Sequence, residues 1–200
     1  MYLATLLTLP LLASASMPLR ARMADTTPPT VAAAQAAVQA HISSGKAVAP
    51  ATLAPLWSAL PPIRVSEAIG TYQGGLFDGG APSAINWFGK QIISETSVNP
   101  LLSRAPGNQS STVFPYPRAD IAQARNVEID GVVTATIMYN RLPLLDYLKV
   151  VKKEGGELVL LGRSDLLGKA AVPAYFYLKK VEGQKVDFTF KNPYPNTTGF

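Results

Sequence analysis

The carboxyl-terminal half of the chain alternates short apolar segments with glycine-containing turns, and this pattern constrains the fold more than any other feature. Segment 131–139 is rich in valine, threonine and isoleucine and contains no strand breaker. Turn signals at 153–156 and 182–184 each separate two further β-like segments. In the last segment, 186–191, apolar and polar residues alternate, which would place one face in a core. Closing such strands into a barrel removes exposed edges. The sequence therefore predicts a mainly β fold, an antiparallel lipocalin-like β-barrel.

Two helices are predicted before the strands. Residues 30–41 are rich in alanine, and Thr30 can cap their amino end. In segment 52–60 the apolar residues recur at helical spacing, and Trp57 is expected to fill a core. We expect both helices to lie outside the barrel. The predicted organisation is a signal peptide at 1–16, a linker and alanine-rich helix at 17–51, a single barrel domain at 52–191 and a tail at 192–200.

The amino terminus has features of a secretory leader. A short apolar run covers residues 3–12, and an Ala-Ser-Ala sequence follows at 13–15, where a signal peptidase prefers small residues. The run is too short to span a bilayer, so no stable membrane insertion is expected. Two acceptor triplets for N-glycosylation, at Asn108 and Asn196, fit the secretory pathway. The sequence predicts a secreted glycoprotein, with a cytosolic alternative if translation starts at Met23.

Composition excludes several kinds of chemistry. The chain has no cysteine, which rules out disulfides, thiolate catalysis and zinc–thiolate sites. Its single histidine, His41, leaves no histidine cluster for a metal. The net charge of +5 is spread along the chain, and no segment interleaves basic and aromatic residues as a nucleic-acid face does. We therefore expect no metal, no cofactor and no nucleic-acid partner.

The order of three sequence blocks resembles a known family. The blocks are Gly70-Thr71-Tyr72-Gln73-Gly74, then Asn86-Trp87-Phe88-Gly89-Lys90, then the run 131–180. This order is similar to that of the GXWXG domain joined to the uncharacterised domain that usually follows it, over roughly residues 53 to 181. The resemblance implies a lipocalin-like barrel and brings no settled activity. Histidines that often follow the motif in the family are missing here, where Asn99 precedes Pro100. The resemblance therefore carries no histidine or haem chemistry to this chain.

Five residues are candidate ligand-binding positions. Tyr72 stands where the family motif usually has tryptophan, and it either plugs a barrel end or hydrogen-bonds a ligand. Trp87 lies in the second block. Asp165 matches a Gly-x-x-Asp position of the family, and it either caps the following turn or faces a ligand. Tyr175 and Tyr177 share one face of a predicted strand, and one of that strand's two faces should line the barrel interior.

Asp146 is the main candidate for chemistry because it lies within the apolar run 142–148. A carboxylate in such surroundings must be paired or have a raised pKa. One interpretation is a buried aspartate satisfied by backbone amides or by an arginine, Arg141 or Arg163. The other is a general base or ligand anchor, for which Tyr139 supplies a neighbouring phenol. Asp146 and Tyr139 are therefore the candidate catalytic residues.

The lysines are interpreted as solvated. Lys90 follows the Trp-Phe-Gly sequence of the second block, and we expect it to be exposed rather than a Schiff-base nucleophile. Lys149, Lys152 and Lys153 are expected on the wet face and tip of a hairpin.

These features favour a cavity lined by aliphatic and aromatic side chains with a few polar groups, which is typical of a site for a hydrophobic small molecule. We expect a cofactor-independent cyclase or isomerase of specialised (secondary) metabolism, in which Asp146 or a tyrosine moves a proton. The alternative is a non-catalytic carrier for the same kind of ligand.

Overall fold

The computed structural model of the protein describes residues 27–116, 122–167 and 173–194. The predicted leader, Met23 and Asn196 lie outside the described residues. Two α-helices come first, α1 (Val31–Ser44) and α2 (Pro50–Ala59). The strands are β1 (Gly70–Leu76), β2 (Trp87–Ser94), β3 (Ser97–Arg104), β4 (Val113–Pro115), β5 (Ala122–Ile129), β6 (Val132–Tyr139), β7 (Leu144–Glu154), β8 (Glu157–Leu166) and β9 (Ala174–Val181). Short 3₁₀ turns lie at Val65–Glu67 and Gly107–Gln109. Over these ranges, no helix has both the length and the apolar character that a membrane crossing needs.

Eight of the strands close into an antiparallel barrel. Their order is β2-β1-β9-β8-β7-β6-β5-β3, and β3 pairs back onto β2. The contact between β3 and β5 is one residue pair, Val98 with Ala122. Strand β4 extends the sheet from the outer end of β3, where Val113 pairs with Arg104. The mainly β barrel with helices at the amino-terminal side confirms the fold predicted from the sequence.

Strands β7, β8 and β9 are apolar on both faces, and each face has its own cover. Leu148, Leu160 and Leu178 point into the barrel core. Tyr147, Leu161 and neighbouring outward residues form a second core with α1 and α2. The helices lie on the outside of the barrel, as predicted, because the outward face of these strands is too apolar to be left in water.

One end of the barrel is closed by the segment between α2 and β1. Strands β6 and β7 pair over only three residue pairs, and Pro61–Ile63 runs beside them where they separate. The amide of Ala135 donates to the carbonyl of Ile63 over 2.7 Å, and the amide of Val150 donates to that of Pro61 over 2.8 Å. These bonds satisfy backbone groups that the diverging strands leave open. Side chains of this segment then fill the interior at this end.

The prediction of a strand at 186–191 is wrong. Strand β9 ends at Val181, and Val186 forms only an isolated bridge with Val113. The Asp187 carboxylate accepts hydrogen bonds from the amides of Thr189 and Phe190, and this local turn competes with a strand ladder. Phe188 is accordingly 64% exposed. The alternation in the sequence did not reflect a half-buried strand.

Candidate functional site

A cavity of about 270 Å³ opens at the end of the barrel where β6 ends and β7 begins. This end lies away from the Pro61–Ile63 segment, so the interior is filled at one end and open at the other. The wall is mainly apolar and is formed by Leu76, Ser83, Ala84, Ile85, Trp87, Leu101, Leu142, Leu144 and Phe176. The remaining lining residues are Lys90, Tyr139, Asp146 and Ser164.

These four side chains form one connected polar cluster. Lys90 Nζ lies 2.8 Å from Asp146 Oδ2 in a buried ion pair. Tyr139 donates its phenol proton to Asp146 Oδ2 over 2.9 Å and accepts from Lys90 Nζ over 2.8 Å. Ser164 Oγ donates to Asp146 Oδ1 over 2.5 Å. Lys90 also donates to the carbonyl of Pro100 over 3.0 Å. The cluster therefore carries a cation and an anion that compensate each other.

An irregularity in β2 places Lys90 in the cavity wall. Strict alternation would put Trp87 and Lys90 on opposite faces of a strand. The pairing with β3 instead shifts register on either side of Gly89, which is the signature of a β-bulge. Both Trp87 and Lys90 then face inward, whereas Phe88 packs outside against Leu102.

The bulge requires glycine at position 89. A Cβ atom there would overlap the carbonyl oxygen of Tyr72 on the neighbouring strand. Gly74, the last glycine of the GXWXG-like motif, plays a related part, because a Cβ atom at that position would overlap the ring of Trp87. Gly74 and Gly89 therefore allow the close contact between β1 and β2 that holds the cavity wall in place.

Aromatic rings surround the ammonium group of Lys90. Lys90 Nζ lies 4.9 Å from the ring centre of Phe176, 5.5 Å from that of Tyr139 and 5.7 Å from that of Trp87. Such contacts stabilise a cation that has left water. The Trp87 ring is itself fixed, since its Nε1 donates to the carbonyl of Gly89 over 2.9 Å.

Burial raises the pKa of the Tyr139 phenol well above its usual value, and the neighbouring Asp146 carboxylate raises it further. Tyr139 is therefore a protonated hydrogen-bond donor over the physiological pH range. Across the described ranges, no group of three His, Asp or Glu side chains could hold a metal ion.

Three of the predicted site residues lie together, and the roles predicted for them stay predictions. Asp146 points into the barrel, and Tyr139 is its direct neighbour, so the two candidate catalytic residues share one site. Trp87 lines the same cavity. Asn108 is exposed in the second 3₁₀ turn, where a glycosylating enzyme could reach it.

Other candidates lie away from the cavity. The Tyr72 hydroxyl donates to the carbonyl of Ala68 over 2.7 Å inside the closed end, so Tyr72 acts as the structural plug. Tyr175 and Tyr177 face the outer core beside the helices, and it is Phe176 between them that lines the cavity. Asp165 pairs with Arg163. The ligand-binding roles predicted for Tyr72, Tyr175, Tyr177 and Asp165 are not supported by their positions.

Two lysines were wrongly interpreted as solvated. Lys90 is 3% exposed and is the partner of Asp146, whereas one of the two interpretations of Asp146 named backbone amides or an arginine as its partner. Lys149 is 2% exposed, and its ammonium donates to the carbonyl of Trp57 over 3.0 Å at the carboxyl end of α2. Lys152 and Lys153 are on the solvated tip, as expected, and pair with Glu157 and Glu67.

The cavity residues that were not named as candidates include Phe176 and Ser164. Phe176 and Ser164 carry no sequence signal of their own, because an isolated serine or phenylalanine is common in strands. Their strand neighbours did indicate them: Phe176 alternates with two tyrosines, and Ser164 pairs with Asp146 across the β7–β8 hairpin that the Gly155-Gly156 turn predicts.

Comparisons with known proteins bear on the family and the fold of the chain. The GXWXG protein family matches residues 55–107, and the family described as Domain of unknown function (DUF4334) matches residues 120–180. A crystal structure of a protein from Thermomonospora curvata is similar, with a TM-score of 0.65 and 30% sequence identity. The similarity covers 74% of this chain and 98% of that chain. Among curated proteins there is no match.

Proposed function

We propose that this chain, which belongs to the family in which a GXWXG domain is followed by DUF4334, binds a hydrophobic small molecule in the open end of its barrel. The observation that carries the proposal is the cavity itself, an apolar space of about 270 Å³ with one polar cluster in its wall. Small-molecule sites combine such apolar walls with a few fixed polar groups. Apolar burial would supply the affinity, and the cluster would orient the ligand.

The contrast between the two barrel ends supports this proposal. Protein interiors are normally packed without voids, and the closed end follows that rule with Ile63, Val65 and Tyr72. At the open end, large apolar side chains such as Leu144 and Phe176 leave space between them. A ligand that fills this space would recover the dispersion contacts that the wall lacks.

Binding can be tested with N-phenyl-1-naphthylamine, a neutral fluorescent probe. Ala84 lines the mouth of the cavity, so Ala84→Trp should fill it and abolish the fluorescence increase. Ala81→Trp is the matched control, because Ala81 lies in the same loop, is exposed and does not line the cavity. No binding by the wild type, or equal binding by both variants, would reject the proposal.

A second candidate function is a cofactor-independent cyclase or isomerase, and the polar cluster is what favours it. A buried ion pair often stabilises a protein less than apolar residues of the same volume would. Its presence in the wall of a cavity is therefore better explained by a role toward a ligand than by stability. Asp146 would accept a proton from a bound substrate, and Tyr139 would return one.

Turnover distinguishes the enzyme from the carrier. The purified protein is incubated with polyene or terpenoid intermediates, and products are followed by mass spectrometry. Asp146→Asn should abolish turnover while ligand binding persists, whereas Asp165→Asn should leave both unchanged. Binding without turnover of any intermediate would leave the carrier. A role in specialised metabolism belongs to the same proposal, and polyketide or terpene synthase genes beside the coding gene would support it.

A further inference from the structure

The side chains of the polar cluster differ in the hydrogen bonds that they can still make to a ligand. Lys90 donates hydrogen bonds to the Tyr139 hydroxyl and the Pro100 carbonyl, and its ammonium forms an ion pair with Asp146 Oδ2. The Tyr139 proton is used on Asp146, and so is the Ser164 hydroxyl proton. Each polar side chain of the four-residue cluster therefore already has a partner for its ammonium or hydroxyl group.

Two oxygen atoms of the cluster can still accept a hydrogen bond. A carboxylate oxygen can accept two hydrogen bonds, and Asp146 Oδ1 accepts one from Ser164. Ser164 Oγ donates to Asp146 and keeps its own lone pairs. Both residues line the cavity, on paired positions of β7 and β8. In the described part of the wall, this cluster can therefore accept a hydrogen bond from a ligand without giving up one of its own.

The charge of the cluster further limits the class of ligand that the cavity can bind. The ammonium of Lys90 and the carboxylate of Asp146 compensate each other at 2.8 Å. A ligand carboxylate would bring a second anion beside Asp146, and a ligand ammonium would bring a second cation beside Lys90. Either charge would enter an apolar cavity without a free counterion, which is strongly unfavourable.

We infer that the ligand is an uncharged alcohol or phenol, whose hydroxyl donates a hydrogen bond to Asp146 Oδ1 or Ser164 Oγ while its hydrocarbon skeleton fills the apolar wall. The inference rests on the proposed binding function and specifies its ligand class. A ketone or aldehyde fits less well, because its oxygen would compete for the Lys90 ammonium with Asp146, Tyr139 and Pro100.

The test is a matched set of ligands that differ only in the polar group. Two skeletons are used so that shape does not decide the result: decane, 1-decanol, decanal, decanoate and decylamine, and the corresponding adamantane compounds. Dissociation constants are measured by displacement of N-phenyl-1-naphthylamine at neutral pH. We expect the alcohol of each series to bind about tenfold more tightly than the aldehyde or ketone and than either charged member.

Variants of the cluster give a second, independent readout. Asp146→Asn replaces acceptor capacity with an amide donor and leaves Lys90 without its anion, so preference should move from the alcohol to the carboxylate. Ser164→Ala should reduce the advantage of the alcohol over the hydrocarbon. Asp165→Asn is the matched control, since Asp165 pairs with Arg163 outside the cavity, and it should leave the ranking unchanged.

The outcomes distinguish the inferred ligand class from the proposed binding function. Displacement by both series without a preference for the alcohol would overturn the inference and leave the binding function standing. Displacement by neither series, or no binding of the fluorescent probe, would overturn both. If Asp146→Asn does not fold, the ranking of ligand affinities in the wild type and in Ser164→Ala still tests the inferred ligand class.

Discussion

Lys90 Nζ lies 2.8 Å from Asp146 Oδ2, with only 4% and 1% of the two side chains exposed. Lys90 belongs to the part of the chain matched by the GXWXG family, and Asp146 belongs to the part matched by DUF4334. Their strands, β2 and β7, are members of the same closed barrel. The two regions that these families match are therefore halves of one structural unit, and the candidate site is built from both halves.

Removing one partner of this pair should destabilise the protein strongly. Lys90→Met leaves the Asp146 carboxylate buried without its cation, and we expect a loss of about 3–5 kcal/mol in the free energy of unfolding. The double variant Lys90→Met/Asp146→Leu should recover most of that loss. Urea denaturation of the wild type, Lys90→Met, Asp146→Leu and the double variant measures this coupling, and simple addition of the two single losses would show that the pair is not coupled.

Gly89 should not tolerate a side chain. Gly89→Ala would place a methyl group against the Tyr72 carbonyl and force β1 and β2 apart, at a cost of about 3 kcal/mol. Gly183→Ala is the control for backbone strain, since Gly183 has a φ of 69° but open space around it. Thermal unfolding should therefore show a clearly larger loss for Gly89→Ala. Similar losses for the two variants would mean that the close contact between β1 and β2 does not limit the residue at position 89.

The stability of the protein should fall at alkaline pH because of buried tyrosines. The pKa of Tyr139 is raised by burial and by Asp146, so the folded state keeps a proton that the unfolded chain releases above about pH 10. The stabilising contribution is present below that pH and is lost as the pH rises toward the folded pKa. Tyr139→Phe should flatten the decline in unfolding free energy between pH 9 and 11.5. A decline of unchanged slope would show that this phenol does not contribute.

Lys149 should hold α2 onto the barrel. Its ammonium donates to the Trp57 carbonyl at the end of the helix, where a cation is favourable, and it lies 5.0 Å from the centre of the Trp57 ring. Lys149→Met should cost about 1–3 kcal/mol by leaving the carbonyl without its donor. Lys152→Met, on the same strand but paired at the surface, is the control. Hydrogen exchange of α2 amides should increase only for Lys149→Met, and protection that is the same in both variants would contradict the role.

The secretory hypothesis predicts modification at Asn108. Protein from the native host should begin near residue 16 and lose mass on treatment with an N-glycosidase. Asn108→Gln should remove the glycan at that position. An intact start at Met1 or Met23 and an unchanged mass would reject secretion.

Asp146 could be singled out from the sequence because it is the one charged residue in the apolar run 142–148. Its partner could not be predicted, because Lys90 reaches the interior through a bulge at Gly89. A bulge shifts the side-chain alternation by one residue and leaves no mark in the local pattern except a glycine. Alternation alone places Trp87 and Lys90 on opposite faces, and no residue near Lys90 in the sequence marks a desolvated pocket, so the lysine was interpreted as solvated.

The barrel as a whole was predictable because hairpin turns and strand alternation are local signals. Two features were not predictable: the conformation of 186–191, and the burial of Tyr175 and Tyr177 under the helices. Each depends on which other parts of the chain pack against the segment. Helices α1 and α2 turn the outer face of β9 into a second core, so both faces of that strand are apolar and neither identifies the interior.

The most direct test of the binding proposal is an NMR titration of the ¹⁵N-labelled protein with 1-adamantanol. Shifts are predicted to be concentrated on residues around the cavity, including Ile85, Leu101, Leu144 and Phe176, with little change at Tyr175 or along α1. The same titration of Ala84→Trp should show no such shifts. Saturable shifts on the helix-covered face, or none around the cavity at millimolar ligand, would contradict the account.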